Sequence, residues 1–285
     1  MNIHSENPRT ETIALVIFDW AGTTVDFGSR APAAAFMNVF ASRNVQVTNE
    51  QACAPMGLNK RDHLVEMLSA PEIASAWLRA TGNEWNEDDV DDLYEAFIPV
   101  QLAAIQQHAD LVPGLIEVVG QLRQRNVKIG GTTGYFRAAA EAVALHAAEA
   151  GFVPDANVCS DDVPEGRPAP RMIHRVMQEL NIEAPQRVVK IGDTVADIKA
   201  GLAAGCWSIA VCDSSSLMGV SQTDYARLPG HERSQRLQEV ESIFRDAGAH
   251  AVIRTITELP SLIDQINRLG ASQPEVLVNA TTPSH

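Results

Sequence analysis

The chain has 285 residues, 45% of them hydrophobic and 20% charged, with a formal net charge of −14 and a pI of about 4.9. That length and composition suit one large α/β domain or a core with an inserted domain. The acidic balance argues against nucleic acid and anionic membrane as partners, because phosphate groups attract basic faces; an anionic small molecule could bind only through local Arg, a metal or a helix N-terminus. No run approaches the ~18 apolar residues of a membrane span, and the N-terminal Met1-Asn2-Ile3-His4-Ser5-Glu6 lacks the basic-then-apolar pattern of a secretory signal. Cys53, Cys159, Cys206 and Cys212 are scattered without a CxxC pair, so buried free thiols are expected and a zinc site or disulfide framework is not. The expected location is the cytoplasm.

In chain order, residues 13–18 read as a short buried strand, β-branched and apolar, ending at Asp19. From about residue 27 to 111 no strand pattern appears; helices are expected over 33–42, 60–68, 74–80 and 88–108, with Pro99 a candidate kink in the last. Beyond it come helix 115–124, strand 128–132, helices 138–150 and 170–180, strand 188–192, helix 194–204, strand 207–211 and a short strand over 250–254. This alternation predicts a doubly wound, Rossmann-like parallel sheet covered on both faces, built from 12–26 and 112–269, with 27–111 inserted as a helical domain. In such sheets ligands bind beyond the C-terminal strand ends. The polar tails, 1–11 and 270–285, are expected to be disordered.

Chemistry-bearing residues concentrate at those strand ends. Asp19-Trp20-Ala21-Gly22-Thr23-Thr24 sets a carboxylate and a Gly-Thr turn after the first strand. Thr132-Thr133-Gly134-Tyr135 sets a hydroxyl and backbone N–H groups after the second, able to hold a phosphoryl oxygen. Gly192-Asp193-Thr194-Val195-Ala196-Asp197 places two carboxylates four residues apart, at a strand end and in a first helical turn, where they can share a hard cation such as Mg2+. Gly166-Arg167-Pro168-Ala169-Pro170 puts an Arg just ahead of a helix start, free to fork onto a phosphoryl group. Within the insert, Pro55-Met56-Gly57-Leu58-Asn59-Lys60-Arg61-Asp62-His63 contains one of only four lysines, against eighteen arginines. Where this chain needs positive charge alone it nearly always uses Arg. A Lys suggests a task that Arg cannot do: losing its proton and forming a Schiff base with a carbonyl.

Taken in this order, the motifs resemble the haloacid dehalogenase superfamily over about residues 12–269, with the insert as its cap. The combination with the Lys60 segment closely resembles the phosphonatase (phosphonoacetaldehyde hydrolase) family. The resemblance implies an aspartyl-phosphate on Asp19 and an imine on Lys60. It implies Mg2+ held by Asp19, the Ala21 backbone carbonyl and Asp193, with Asp197 close by. Thr133 and Arg167 match the phosphonyl-binding residues, and Met56, His63 and Tyr135 match residues that assist around the imine. A small phosphonate substrate and a homodimer paired through cap helices are implied too. One departure stands at Ser29, where the best-known members carry Cys; it reads as a hinge or packing variation. His63 shares a helical face with Lys60 and can relay protons, or it is a structural His between cap and core. Asp26 reads as a hydrogen-bonding anchor.

Ala21 separates the function classes. Phosphatases of the superfamily carry there a second Asp as general acid and base, and a methyl group cannot protonate a leaving alkoxide. The alternative reading, another small-molecule phosphatase or phosphomutase of the superfamily, is therefore disfavoured. A binding module without catalysis has no need of Asp19, Asp193 and Lys60 together. Breaking a P–C bond expels a carbanion, and an iminium β to phosphorus can receive those electrons as an enamine.

Overall fold

The computed structural model describes residues 12–270; the tails expected over 1–11 and from 271 onward lie outside the described residues. Six strands, β1 (Leu15–Phe18), β2 (Lys128–Thr133), β3 (Ala156–Cys159), β4 (Val188–Gly192), β5 (Trp207–Val211) and β6 (Ala251–Ile253), form one sheet in the order β3-β2-β1-β4-β5-β6. Every pairing is parallel. Helices α1 (Arg30–Ser42), α2 (Asn49–Cys53), α3 (Lys60–Ser69), α4 (Pro71–Thr81) and α5 (Glu87–His108) all fall between β1 and β2 and form the inserted helical cap. The remaining helices are α6 (Leu115–Gln124), α7 (Arg137–Glu149), α8 (Arg171–Glu179), α9 (Val195–Ala203), α10 (Gln222–Arg227), α11 (Gly230–Asp246) and α12 (Leu259–Leu269).

The two-sided covering explains why β1 reads as an unbroken apolar run. Leu15 and Ile17 pack with Met172, Ile173 and Val176 of α8, whereas Val16 and Phe18 join the larger core that includes α6, α7, α12 and the cap. On the α8 side, α9 and α11 close a third cluster around Phe244 and Val240. The chain winds outward from β1 to β3 and then crosses back to β4, so β1 and β4 lie side by side at the point where strand order reverses. That crevice is where ligands of such sheets bind.

The predicted strands appear within two residues of their expected bounds, and α5 runs unbroken through Pro99. Two parts of the core carry weak sequence signals. β3 is a four-residue edge strand containing Asn157, too short and too polar to stand out. The helix α11 buries only Leu237, Val240 and Phe244 along seventeen residues, so its apolar stripe is thin.

The chain leaves and re-enters the core through paired linkers. Asp26 N donates to Asp110 O at 3.0 Å and Val112 N to Thr24 O at 2.8 Å. Asp26 also anchors the cap, because its buried carboxylate accepts the N–H groups of Arg30 (3.0 Å) and Ala31 (2.8 Å) at the start of α1. Burial pushes this carboxyl up to about 7. Cap and core meet closely: a Cβ at Gly134 would lie 2.6 Å from Leu58 O and 3.1 Å from Gly57 O. Gly134→Ala should therefore force the two apart and lower stability by about 1–3 kcal/mol, as overpacking does. Urea denaturation measures it, and an unchanged midpoint would contradict so tight a seam.

Candidate active site

Asp19 and Asp193 stand at the C-terminal ends of the neighbouring strands β1 and β4, and both are buried. After Asp19 the chain turns tightly: the N–H groups of Thr23, Thr24 and Val25 all converge on Trp20 O, and Thr24 Oγ1 donates to Asp19 O at 3.1 Å. This turn presses on Asp193. A Cβ at Gly22, where φ is +84°, would lie 2.3 Å from Asp193 Oδ2, so only Gly satisfies both the conformation and the approach. Asp193 accepts hydrogen bonds from Thr23 Oγ1 (3.2 Å) and from Ser216 N (3.0 Å).

Asp19, Asp193 and Asp197 bring carboxylate oxygens within 4.8 Å of one another. Arg167 binds across the group: Nη2 reaches Asp19 Oδ1 at 2.5 Å and Thr132 O at 2.9 Å, and Nη1 reaches Asp197 Oδ1 at 2.8 Å. Lys190 Nζ meets the same Asp197 oxygen at 2.8 Å, and Thr194 Oγ1 donates to Asp197 Oδ2 at 2.6 Å. Burial alone would raise the Asp197 carboxyl, but Arg167 and Lys190 outweigh it and hold the group below the usual range. Asp193 has no such cation. Burial, then the charges of Asp19 and Asp197, push it well above the usual range. An all-oxygen cluster with an uncompensated carboxylate at its centre fits a hard divalent cation, which would relieve that strain. Asp197, already engaged on both oxygens, orients Arg167.

The cap completes the site. Asp19, Ala21, Thr133, Gly134, Tyr135 and Arg167 line the core side of a small cavity. Met56, Gly57 and Lys60 face them from the cap, with Ser29 and Pro32 at the start of α1. Lys60 is the first residue of α3, whose N-cap Asn59 accepts the Asp62 N–H. Its amine lies 5.1 Å from the Tyr135 ring centroid and 5.6 Å from that of Phe36. Burial lowers its pKa from 10.5 to about 8, and Arg167 pushes the same way against Asp19 and Asp193. The positive end of the α3 dipole also disfavours an ammonium here.

His63 does not line the cavity. It stacks on Phe36 at 3.7 Å between centroids, and Nε2 lies 3.0 Å from Ala52 O. Since that carbonyl can only accept, Nε2 carries the proton and Nδ1, which has no partner, presents a lone pair. Burial and the nearby Lys60 hold this imidazole well below its usual pKa, so it is neutral. Asp193 and Asp197 also stand behind the cavity wall. Ser29 is fully buried and borders the cavity.

Lys190 lies outside every motif singled out in the sequence. It does carry a signal there, as a charged residue in the middle of an apolar strand and one of only four lysines. The serines after β5 that touch Asp193 carry no comparable signal.

The Lys60 shift links to stability. The unfolded chain keeps this proton up to about pH 10.5 and the folded protein only to about 8, so between those values the unfolded state binds more protons and stability rises with pH. Wild type compared with Lys60→Met should gain about 3 kcal/mol across that window in paired urea titrations. A difference that stays flat with pH would contradict a depressed amine.

A family model for haloacid dehalogenase-like hydrolases matches residues 13–205. A phosphonoacetaldehyde hydrolase of Syntrophobacter fumaroxidans is 42% identical over 269 residues, covering 94% of this chain and 97% of that protein. One from Hahella chejuensis is 41% identical over 256 residues, covering 90% and 87%. The crystal structure of a phosphonoacetaldehyde hydrolase-like protein from Oleispira antarctica superposes with a TM-score of 0.91 at 36% identity, covering 96% of this chain and all of that one. The chain belongs to the haloacid dehalogenase-like hydrolases and, among them, to the phosphonoacetaldehyde hydrolase family.

Proposed function

We propose that the chain hydrolyses the P–C bond of phosphonoacetaldehyde to acetaldehyde and inorganic phosphate, in the breakdown of 2-aminoethylphosphonate. One observation carries the reading: a buried Lys60 amine with a pKa near 8 shares a small cavity with Asp19, and Ala21 stands where an acid would be needed to release an alkoxide. The names of the relatives at 41–42% identity agree with it.

In this reaction the neutral Lys60 amine attacks the aldehyde carbon, and loss of water gives an iminium. Met56 and Tyr135 pack around the imine, while His63, stacked on Phe36 outside the cavity, supports the Lys60 helix without touching substrate. Thr133, the Gly134 N–H and Arg167 hold the phosphonyl oxygens, and Asp19 attacks phosphorus in line. The P–C electrons pass into the iminium as an enamine, which is protonated on carbon. Water then cleaves the aspartyl-phosphate to phosphate and the imine to acetaldehyde, restoring Asp19 and Lys60. Mg2+ held by Asp19, Asp193 and the Ala21 carbonyl would supply charge neutralisation at the phosphonyl group when bound. Asp197 acts from behind by fixing Arg167.

The same proposal takes 27–111 as the cap and 12–26 with 112–269 as the core, working as a cytoplasmic homodimer. No helix of the described residues is long and apolar enough to cross a membrane. In this reading the cap lifts for substrate entry, because Asp19, Lys60 and Arg167 are all buried, with linkers near Gly28 and Gly114 as the flexing points.

Borohydride with phosphonoacetaldehyde should label Lys60, located by peptide mapping. Lys60→Arg should fold and lose several orders of magnitude in turnover; appreciable P–C cleavage by that variant would sink the mechanism. Aryl phosphates and phosphoglycolate should be very poor substrates, since nothing replaces the acid missing at Ala21. Efficient monoester hydrolysis would point to a phosphatase.

A further inference from the structure

The loop after β5 touches both halves of the proposed metal site and the linker into the cap. Its serines Ser214, Ser215 and Ser216 are buried. Ser215 Oγ donates to the Asp193 backbone carbonyl at 2.7 Å and accepts the Leu217 N–H at 3.1 Å, while Ser216 N donates to the Asp193 carboxylate at 3.0 Å. Asp193 is thus clamped at backbone and side chain by consecutive residues. Ser214 grips the other half. Its Oγ donates to Gly22 O at 2.6 Å, within the turn that follows Asp19, and its carbonyl accepts the Gly28 N–H at 2.8 Å. The far end of the loop closes on the same glycine, because a Cβ at Gly28 would lie 2.3 Å from Val220 O.

We infer that Ser214 and Ser215 are positioning residues that set the spacing between the Asp19 turn and Asp193 and tie that spacing to the cap linker at Gly28. The physical reason is topological. Asp19 and Asp193 sit on different strands, β1 and β4, and each is followed by its own loop. Parallel pairing fixes the strands, but it does not fix how far each loop leans over the sheet end. A third loop, from β5, bonds to both and removes that freedom. Ser214 bridges the turn at Gly22 and the linker at Gly28, so a cap movement that displaces Gly28 pulls on the brace that holds Asp193. Cation binding and cap position are then linked, and by reciprocity each favours the other.

This inference rests on the metal site proposed above, and its test separates the two. Mg2+ affinity is measured by calorimetry on the full-length protein, well below its melting temperature, for wild type, Ser214→Ala, Ser215→Ala and Asp193→Ala. Ser215→Ala should weaken Mg2+ binding by about tenfold, the lower end of what losing a partner of a metal ligand costs. Ser214→Ala leaves both bonds to Asp193 in place and should still weaken binding severalfold. It is the deciding variant if Ser215→Ala does not fold. A role in folding alone would lower the melting temperature and leave the Mg2+ affinity unchanged. Affinities within twofold of wild type in the serine variants, alongside lost binding in Asp193→Ala, would overturn the inference. Absent Mg2+ binding in wild type, or unaltered binding in Asp193→Ala, would overturn the metal site itself.

Discussion

One oxygen of Asp197 receives two buried cations, Arg167 Nη1 and Lys190 Nζ, each at 2.8 Å, and the site is arranged around that junction. Burying an ion costs several kcal/mol, and the cost is offset only when geometry and hydrogen bonding are nearly complete. Here they are. Arg167 also holds Asp19 and the Thr132 carbonyl, Lys190 reaches Ile191 O, and Thr194 caps the second Asp197 oxygen. Removing any one partner would strand a charge in a dry interior. The guanidinium is therefore aimed before a ligand arrives, which is what stabilisation of a charged transition state requires.

Core and cap make opposite electrostatic demands, and the fold keeps them on separate bodies. The strand ends gather three carboxylates, where a cation is welcome. The proposed imine needs an uncharged amine, and the cap supplies a setting that lowers its pKa: burial and a position at a helix N-terminus. A Lys on a strand end beside Asp19 would sit in an ion pair and keep its proton, as the buried Arg167 does. Carrying the amine in on a different body lets its pKa fall while it still reaches the same small cavity.

That separation makes the linkers part of the chemistry. The two crossings run side by side, hydrogen-bonded through Asp26, Asp110, Thr24 and Val112, so cap and core are joined along one edge. Asp26 stiffens the first crossing by capping α1, and the β5 loop packs against it at Gly28. At the seam Leu58 O lies so close to Gly134 that a Cβ there would stand 2.6 Å from it.

Whether a residue's role is legible in the amino-acid sequence depends on whether its signal is local. The strands β1, β2, β4 and β5 are short apolar runs, and three of them end at residues of the site, so Asp19, Thr133 and Asp193 can be placed from the sequence. Ala21 and Lys60 are informative as departures, a missing acid and a Lys in an Arg-rich chain. The sequence by itself determined the parallel α/β core, the helical insert and the residues that meet there. Tertiary structure decided the rest, because those properties belong to pairs distant in the chain. Among them are the double engagement of Asp197 by Arg167 and Lys190, the neutral His63 held by Ala52, the depressed Lys60 amine and the serine brace on Asp193. No local pattern encodes such a contact; it arises only when the sheet order sets β1, β4 and β5 side by side and the cap folds down over their ends.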